Sequence, residues 1–194
     1  MKILKLFPTL ILGEVLNNIS SKEILNYTEH CNNLELIGEH PNGSFSKNQK
    51  LLSNPLFSNL SSNILLHSKK LLNSLNHSFE DIQISTSWFN TLNKDEYIQT
   101  HNHYNSYISG VFYLTEGSSI VFGSPIETKY YFINTNSDTK SNSYNIKPEP
   151  NLLLLFPSYL YHKVLPSDLD NRISIAFNII PKGEFGPDTG KLYL

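Results

Sequence analysis

The pattern of apolar and polar residues divides the chain into two parts near residue 78. In the first part, apolar residues recur three and four positions apart, as on one face of a helix. Ser20 or Ser21 can cap a first helix that runs to about Leu34. A second helix is predicted from Pro55 to Leu75, and we expect His67 within it to be a surface or capping residue. The side chains available for burial from the first helix are Ile24, Leu25, Cys31 and Leu34.

From residue 80 onward, short apolar or alternating segments are separated by turn residues at close intervals. This spacing is typical of an all-β sandwich or barrel. A polar stretch rich in Asn, Ser and Thr, 134–145, predicts a loop. We therefore predict a mostly β protein with helices near its N-terminus. The predicted strands are 82–93, 97–103, 107–114, 119–122, 130–133, 152–156, 161–165 and 172–180.

Length and composition narrow the class of protein. At 194 residues the expectation is one domain over 1–194, with a helical or mixed part (1–78) and a β core (79–194). The formal charge of -2 argues against nucleic acid or an anionic membrane as an obligate partner. The single cysteine, Cys31, excludes an internal disulfide framework and favours a cytoplasmic location. The N-terminal helices are a candidate homodimer surface.

The first residues resemble a signal peptide in part, with two lysines and an apolar stretch. Pro8 interrupts that stretch and Glu14 ends it, so we expect a first strand there instead. The chain has no apolar run of the ~20 residues that a membrane-spanning helix needs.

Three histidines suggest a metal site. His101 and His103 are one residue apart, so an extended strand projects both side chains from one face. His162 lies in a distant predicted strand that a rolled sheet can bring across. Imidazole ligands suit iron, copper, zinc and nickel. The alternative is a pair of polar side chains on a solvated strand face.

An arginine follows these histidines in a strongly apolar strand. Arg172 and Ser174 share a strand face, and a guanidinium binds a carboxylate through two parallel hydrogen bonds. An unpaired charge is costly in such a strand. We favour a dicarboxylate held by Arg172 at one end and chelating the metal at the other. The alternative is a surface salt bridge with Asp168 or Asp170.

Taken together, several short motifs make the chain similar to one family. It resembles the Fe(II)- and 2-oxoglutarate-dependent oxygenases with a double-stranded β-helix core, a jelly-roll and cupin-like fold. It is closest to a small group of bacterial and phage oxygenases. The matching segments are LFPT at 6–9, SWFN at 87–90, HNH at 101–103, SGVFYL at 109–114, LLFPSYLYH at 154–162 and RISIAFN at 172–178.

The resemblance implies Fe(II), 2-oxoglutarate and O2 as cofactor and co-substrates. His101 and His162 correspond to metal ligands, and Arg172 with Ser174 corresponds to the site for the distal carboxylate of 2-oxoglutarate. Asn90 is a weaker candidate for the same site.

His103 departs from the wider superfamily, which usually has Asp or Glu at that position. The closest group shares this histidine, so we interpret His103 as the third ligand. Two alternatives are open: Asp95 or Glu96 supplies a carboxylate, or the protein supplies only two ligands.

The function implied is a dioxygenase that hydroxylates an unknown substrate while converting 2-oxoglutarate and O2 to succinate and CO2. Loops that include 127–145 are expected to face the substrate. One alternative is a cupin-like three-histidine metalloprotein that does not use 2-oxoglutarate. Another is a non-catalytic jelly-roll binding module.

Overall fold

Two helices precede the main β structure in the computed structural model, which describes residues 8–77, 79–125, 143–186 and 189–194. Helix α1 (Ser21–Asn32) begins at the N-cap Ser20, whose side chain accepts a hydrogen bond from the Glu23 amide. Glu23 in turn accepts a hydrogen bond from the Ser20 amide, which completes a capping box. Helix α2 (Ser58–Ser74) follows a 3-10 turn at Pro55–Phe57.

The remaining elements are antiparallel strands in three sheets. A seven-stranded sheet has the order β1-β9-β6-β11-β4-β3-β2, a four-stranded sheet has the order β5-β10-β7-β8, and β12 pairs with β13. The strands are β1 (Leu12–Val15), β2 (Leu36–Ile37), β3 (Ser44–Ser46), β4 (Asp81–Leu92), β5 (Ile98–His101), β6 (Ile108–Tyr113), β7 (Ile120–Gly123), β8 (Ser143–Ile146), β9 (Leu152–Pro157), β10 (His162–Val164), β11 (Arg172–Lys182), β12 (Glu184–Phe185) and β13 (Leu192–Tyr193).

Between β4 and β11 the chain passes repeatedly from one large sheet to the other. Strands β4, β6, β9 and β11 lie together in the seven-stranded sheet, whereas β5, β7, β8 and β10 form the four-stranded sheet. This alternation is the arrangement of a double-stranded β-helix, so the predicted mostly β jelly-roll fold with N-terminal helices is confirmed.

The two faces of the seven-stranded sheet are buried differently. One face packs against α1 and α2 in a single apolar cluster that includes Tyr27, Leu60 and Phe177. The other face contacts the four-stranded sheet through a second cluster, which includes Leu154 and Phe122. The space between the two sheets holds this second cluster and the candidate site.

Several predictions about individual residues differ from the structure. Leu25 on α1 is 63% exposed, and Tyr27 is buried in its place. His67, predicted to be a surface or capping histidine, is buried on α2. Residues 143–145 belong to β8 and not to a loop. The predicted strand at 130–133, and most of the predicted loop, lie outside the described residues.

No helix in the described part of the chain is both long enough and apolar enough to cross a membrane.

Candidate metal and co-substrate site

Strand pairing in the four-stranded sheet brings two of the predicted histidines side by side. His101 at the end of β5 lies directly opposite His162 at the start of β10 in the antiparallel register. Side chains at such opposed positions are neighbours on one face of a sheet. The centroids of the two rings are 4.3 Å apart. Sixty-one positions of sequence therefore separate two side chains that the sheet register makes adjacent.

The His103 ring lies beside the rings of His101 and His162, although His103 itself lies beyond the end of strand β5. Strand β5 ends at His101, so the predicted extension of the strand to residue 103 is wrong. The His103 amide donates a hydrogen bond to the Ser158 carbonyl (3.0 Å), which holds this residue beside the turn before β10. Its Nε2 lies 3.4 Å from Nε2 of His162. One nitrogen from each of His101, His103 and His162 lies within 4.8 Å of the other two.

Backbone carbonyls orient two of the three rings. Nδ1 of His101 lies 2.8 Å from the Gln99 carbonyl oxygen, and Nδ1 of His162 lies 3.0 Å from that of Leu160. A carbonyl only accepts, so each Nδ1 carries the proton and donates it. The lone pair of each ring is consequently on Nε2, which is the tautomer that a metal ligand needs.

The surroundings also favour uncharged rings. Burial, followed by the proximity of His101, lowers the pKa of His103 to about 4, although a hydrogen bond with Asn178 acts in the opposite direction. Burial and His101 likewise lower the pKa of His162 to about 3, against a smaller opposing effect of the Leu160 carbonyl. Both rings are therefore neutral at neutral pH, and their lone pairs are available to a cation.

Arg172, the first residue of β11, is 1% exposed. Its Nε donates a hydrogen bond to the Ser118 carbonyl (3.1 Å), and its Cζ lies 5.2 Å from the centre of the Tyr113 ring. Its Nη2 is buried and has no hydrogen-bond partner among the described residues. Burial lowers the pKa of this guanidinium from its usual value. A buried donor without a partner is costly, which is consistent with a site for an anion.

The predicted alternative for Arg172 was a surface salt bridge. No ion pair joins Arg172 to an acidic side chain among the described residues. The Asp170 carboxylate instead accepts a hydrogen bond from the Lys94 amide at 2.9 Å.

Tyr113 is a residue of this site that the sequence did not indicate. Its hydroxyl is buried beside the guanidinium and has no hydrogen-bond partner in the described part of the chain. Burial raises the pKa of the phenol to about 12, so it stays protonated and able to donate. The sequence feature that could have indicated Tyr113 is the alternation of side chains along β6, which places residues 111 and 113 on the side that faces the pocket.

One pocket of about 580 Å³ connects these groups. Ser174 and Asn90 line it together with Arg172 and the three histidines. The amide oxygen of Asn90 accepts a hydrogen bond from Trp88 Nε1 (3.1 Å). Arg172 is the only Arg, Lys, Asp or Glu among the described residues that line the pocket. The cavity therefore contains one fixed positive charge and no fixed negative charge from this part of the chain.

Asp95 and Glu96, the carboxylates considered as ligands in place of His103, do not lie with the histidine cluster. Glu96 Oε2 accepts a hydrogen bond from the Asn93 amide (2.7 Å), and its Oε1 lies 3.7 Å from His40 Nδ1. Neither Asp95 nor Glu96 belongs to the one metal-competent cluster in the described part of the chain.

The sequence matches one protein family. Residues 86–178 match the family described as "Putative 2OG-Fe(II) oxygenase". The matched segment contains all three histidines and Arg172, and it runs from within β4 to within β11. No curated protein matches the chain.

Solved structures show the same fold at low sequence identity. HygX from Streptomyces hygroscopicus, crystallised with nickel and 2-oxoglutarate, has a TM-score of 0.62 at 14% identity, covering 89% of this chain and 83% of that chain. A prolyl-4-hydroxylase from Pseudomonas putida has a TM-score of 0.62 at 13% identity, with 89% and 93% covered. The epimerase SnoN from nogalamycin biosynthesis, described as non-heme and alpha ketoglutarate dependent, has a TM-score of 0.66 at 9% identity, with 91% and 81% covered.

The family match and the shared fold confirm the resemblance to the Fe(II)- and 2-oxoglutarate-dependent oxygenases that the sequence motifs indicated.

Proposed function

We propose that this protein, as a 2-oxoglutarate- and Fe(II)-dependent oxygenase by family, is a dioxygenase that hydroxylates its substrate. His101, His103 and His162 would hold Fe(II). Arg172, with Ser174 and Tyr113, would bind the distal carboxylate of 2-oxoglutarate, and Asn90 would line the same site. The observation that carries the proposal is one pocket that contains both the imidazole cluster and a buried guanidinium with a free donor.

The donor set fits the metal. Two imidazoles whose Nδ1 donates to a backbone carbonyl, and a third whose Nε2 lies 3.4 Å from that of His162, offer three nitrogens within 4.8 Å of one another, which suits Fe(II) and leaves coordination positions open. Bound Fe(II) would supply the oxidation, in which 2-oxoglutarate and O2 give succinate and CO2 and the second oxygen atom enters a C–H bond of the substrate.

The protein's own residues bind and orient. The Arg172 guanidinium offsets one charge of the dicarboxylate in a buried position, where a charge-assisted hydrogen bond is strong. The Tyr113 hydroxyl is available to donate a second hydrogen bond to the same carboxylate. Apolar side chains that line the pocket, including Ile120, Phe156 and Val164, keep water away from the co-substrate.

The two alternatives make different use of these residues. A cupin-like metalloprotein without 2-oxoglutarate gives the buried guanidinium no ligand, so the free Nη2 supports the oxygenase over that alternative. A non-catalytic binding module gives no reason for three imidazoles to meet in one pocket.

Calorimetric titration of 2-oxoglutarate into the anaerobic Fe(II)-loaded protein tests the proposal, and succinate formation in air tests turnover. We expect one equivalent of 2-oxoglutarate to bind, and we expect slow succinate release even without a substrate. The His101→Ala/His162→Ala double variant serves as the control and should lose both. Metal binding without 2-oxoglutarate binding would support the cupin-like protein, and absence of metal binding would support the binding module.

The role of His103 has its own test. His103→Asp should retain the metal, since a carboxylate replaces an imidazole as ligand, whereas His103→Ala should weaken metal binding. An unchanged metal affinity in His103→Ala would show that His103 is not a ligand.

A further inference from the structure

Arg172 is the only arginine in the sequence, and one turn of the chain contacts its side chain at two points. Its Nε donates a hydrogen bond to the Ser118 carbonyl (3.1 Å), in the turn between β6 and β7. The stem of the side chain lies against Gly117 in the same turn, where an added Cβ would lie 3.0 Å from Arg172 Cγ and 3.1 Å from Cδ. The turn therefore contacts both the guanidinium and the carbon chain that carries it.

Two features require glycine at position 117. The Arg172 stem approaches so closely that a methyl group at this position would displace it. The φ angle of Gly117, +145°, also lies in a region that residues with a Cβ rarely adopt. A larger residue would therefore strain the backbone and move the turn away from the arginine.

A hydroxyl in the same turn fixes the backbone on both sides of Arg172. Thr115 Oγ1 accepts a hydrogen bond from the Ile173 amide (2.8 Å). The same hydroxyl donates one to the Asn171 carbonyl (3.5 Å). Residues 115–118, which we call the Arg172 clamp, thus bind the arginine side chain and the backbone of both its neighbours.

The hydrogen bond at Nε decides which edge of the guanidinium is available to a ligand. A guanidinium offers a carboxylate two forks, one formed by Nε with Nη2 and the other by Nη1 with Nη2. The Ser118 carbonyl uses the Nε donor, whereas Nη2 has no hydrogen-bond partner among the described residues. The fork left for a bidentate contact is the one at the end of the side chain.

We propose that the Arg172 clamp holds the guanidinium at a fixed depth in the pocket, with Gly117 as a positioning residue, so that the distal carboxylate binds end-on and the dicarboxylate is selected by its length. A side chain held at Nε and along its stem does not retract for a longer ligand or extend toward a shorter one. The selection by length rests on the function proposed above. The hydrogen bond at Nε belongs to the ligand-free protein and is testable without that function.

Nitrogen-15 NMR of the Nε–H group tests the clamp directly, because a chain with one arginine gives one such signal. In the ligand-free wild type we expect slow exchange of this proton with water. In Gly117→Ala the exchange should be at least about 10-fold faster, since the hydrogen bond to Ser118 is weakened. Gly123→Ala on β7 is the matched control, because its Cβ would lie at an ordinary contact distance, 3.7 Å, from the nearest atom. An unchanged Nε–H signal in Gly117→Ala would overturn the proposal.

The same spectra distinguish the two binding modes. When 2-oxoglutarate is added to the diamagnetic Zn(II)-loaded protein, the Nη signals should shift, and Nε–H should stay in slow exchange with a smaller shift. A larger shift at Nε than at Nη would show that the carboxylate displaces the Ser118 carbonyl, and the end-on contact would be wrong. Absence of 2-oxoglutarate binding would refute the proposed function and the selection by length, while the exchange test would still decide the clamp.

Calorimetry with 2-oxoglutarate and with 2-oxoadipate, which is one methylene longer, is the second readout. The wild type should prefer 2-oxoglutarate about 10- to 200-fold. In Gly117→Ala, affinity for 2-oxoglutarate should fall at least about 10-fold. The preference over 2-oxoadipate should shrink to less than about 10-fold, because the released arginine can retract. Equal losses for the two ligands would mean that Gly117 serves stability alone, which contradicts the selection by length.

If Gly117→Ala does not fold, Thr115→Val provides the test. This near-isosteric change removes the acceptor of the Ile173 amide and leaves the rest of the clamp in place. We expect faster Nε–H exchange and a weaker preference for 2-oxoglutarate, both smaller in extent than for Gly117→Ala. Thr115→Ser keeps the hydroxyl and should restore both. A wild-type Nε–H signal and a wild-type preference in Thr115→Val would overturn the proposal.

Discussion

The two faces of strand β11 have opposite characters. One face is apolar and packs in the cluster beneath the helices, whereas the other faces the pocket and carries most of the polar groups of the strand. The pocket face presents Arg172, Ser174, Ala176 and Asn178, and the helix-covered face presents Ile173, Ile175, Phe177 and Ile179.

The comparison separates stability from function within a single strand. The four residues of the helix-covered face are at most 4% exposed, and their burial stabilises the fold. The pocket face instead includes a guanidinium nitrogen, and the neighbouring strand β6 adds the Tyr113 hydroxyl, neither of which has a hydrogen-bond partner within the described ranges. Such groups reduce stability until a ligand satisfies them. Substitutions on one face should therefore change the free energy of unfolding, and those on the other should change ligand binding.

The largest effect is expected from Phe177→Ala on the helix-covered face. Phe177 is fully buried, so its truncation should lower the free energy of unfolding by about 3–5 kcal/mol. Denaturant unfolding measures the loss. Any fraction that remains folded should bind 2-oxoglutarate normally. A loss below about 1 kcal/mol would mean that this face does not stabilise the fold as described.

Arg172→Leu, in contrast to Phe177→Ala, should weaken 2-oxoglutarate binding and leave the free energy of unfolding nearly unchanged. Removing one partner of a buried charge pair costs about 2–5 kcal/mol of binding, so affinity for 2-oxoglutarate should fall at least about 30-fold. The free energy of unfolding should stay within about 1 kcal/mol of the wild type, because the lost hydrogen bond to the Ser118 carbonyl is offset by removal of a buried charge that forms no ion pair among the described residues. Calorimetry measures the affinity for 2-oxoglutarate, and denaturant unfolding measures the free energy of unfolding.

Arg172→Lys sharpens the same test, since it keeps the charge but loses the planar fork. Its affinity should lie between those of the wild type and Arg172→Leu. If Arg172→Leu unfolds the protein and leaves 2-oxoglutarate affinity unchanged, Arg172 is structural and the comparison fails.

Gly110→Ala tests how closely β6 approaches β11. A Cβ at Gly110 would overlap the Phe177 ring and lie 2.7 Å from the Leu154 carbonyl oxygen, which requires both to shift. We expect a loss of about 1–3 kcal/mol in the free energy of unfolding. Gly13→Ala on β1 is the control, because its Cβ would meet only Leu154 Cδ2 at 3.3 Å. Equal losses in the two variants would contradict the close approach.

The smallest effect is expected from Tyr113→Phe, which removes one hydroxyl from the pocket. A single neutral hydrogen bond contributes about 0.5–1.5 kcal/mol, so affinity for 2-oxoglutarate should fall about 2- to 10-fold. Stability should not fall, since the hydroxyl forms no hydrogen bond with any of the residues that the structure describes. Unchanged affinity in calorimetry would remove Tyr113 from the carboxylate site.

Local signals predicted most of the elements well. The Ser20 capping box and the alternation along β11 each depend on residues close in sequence. Errors appeared where burial depends on distant partners: Leu25 fits an apolar helix face but is exposed, and His67 is buried on α2. Which side of a helix meets the sheet is settled by packing and not by the helix pattern alone.

The site shows the same division. His101, His103 and His162 were recognisable from their spacing along two predicted strands, and Arg172 because a guanidinium in an apolar strand is costly without a ligand. Tyr113 was missed because an aromatic ring in a strand is common without any such role. Its relation to Arg172 exists only across the paired strands β6 and β11.

The sequence by itself determined strands β4 to β7 and β9 to β11, the alternation of their side chains, and the residue types that can bind a metal and a carboxylate. Those properties depend on residue type and on spacing along the chain, so the pattern of apolar and polar residues reveals them. Only the tertiary structure decided that His101 lies opposite His162, that His103 joins them from beyond the strand, and that Arg172 faces the same pocket. These relations depend on the register between strands far apart in sequence, which is set by the packing of the two sheets.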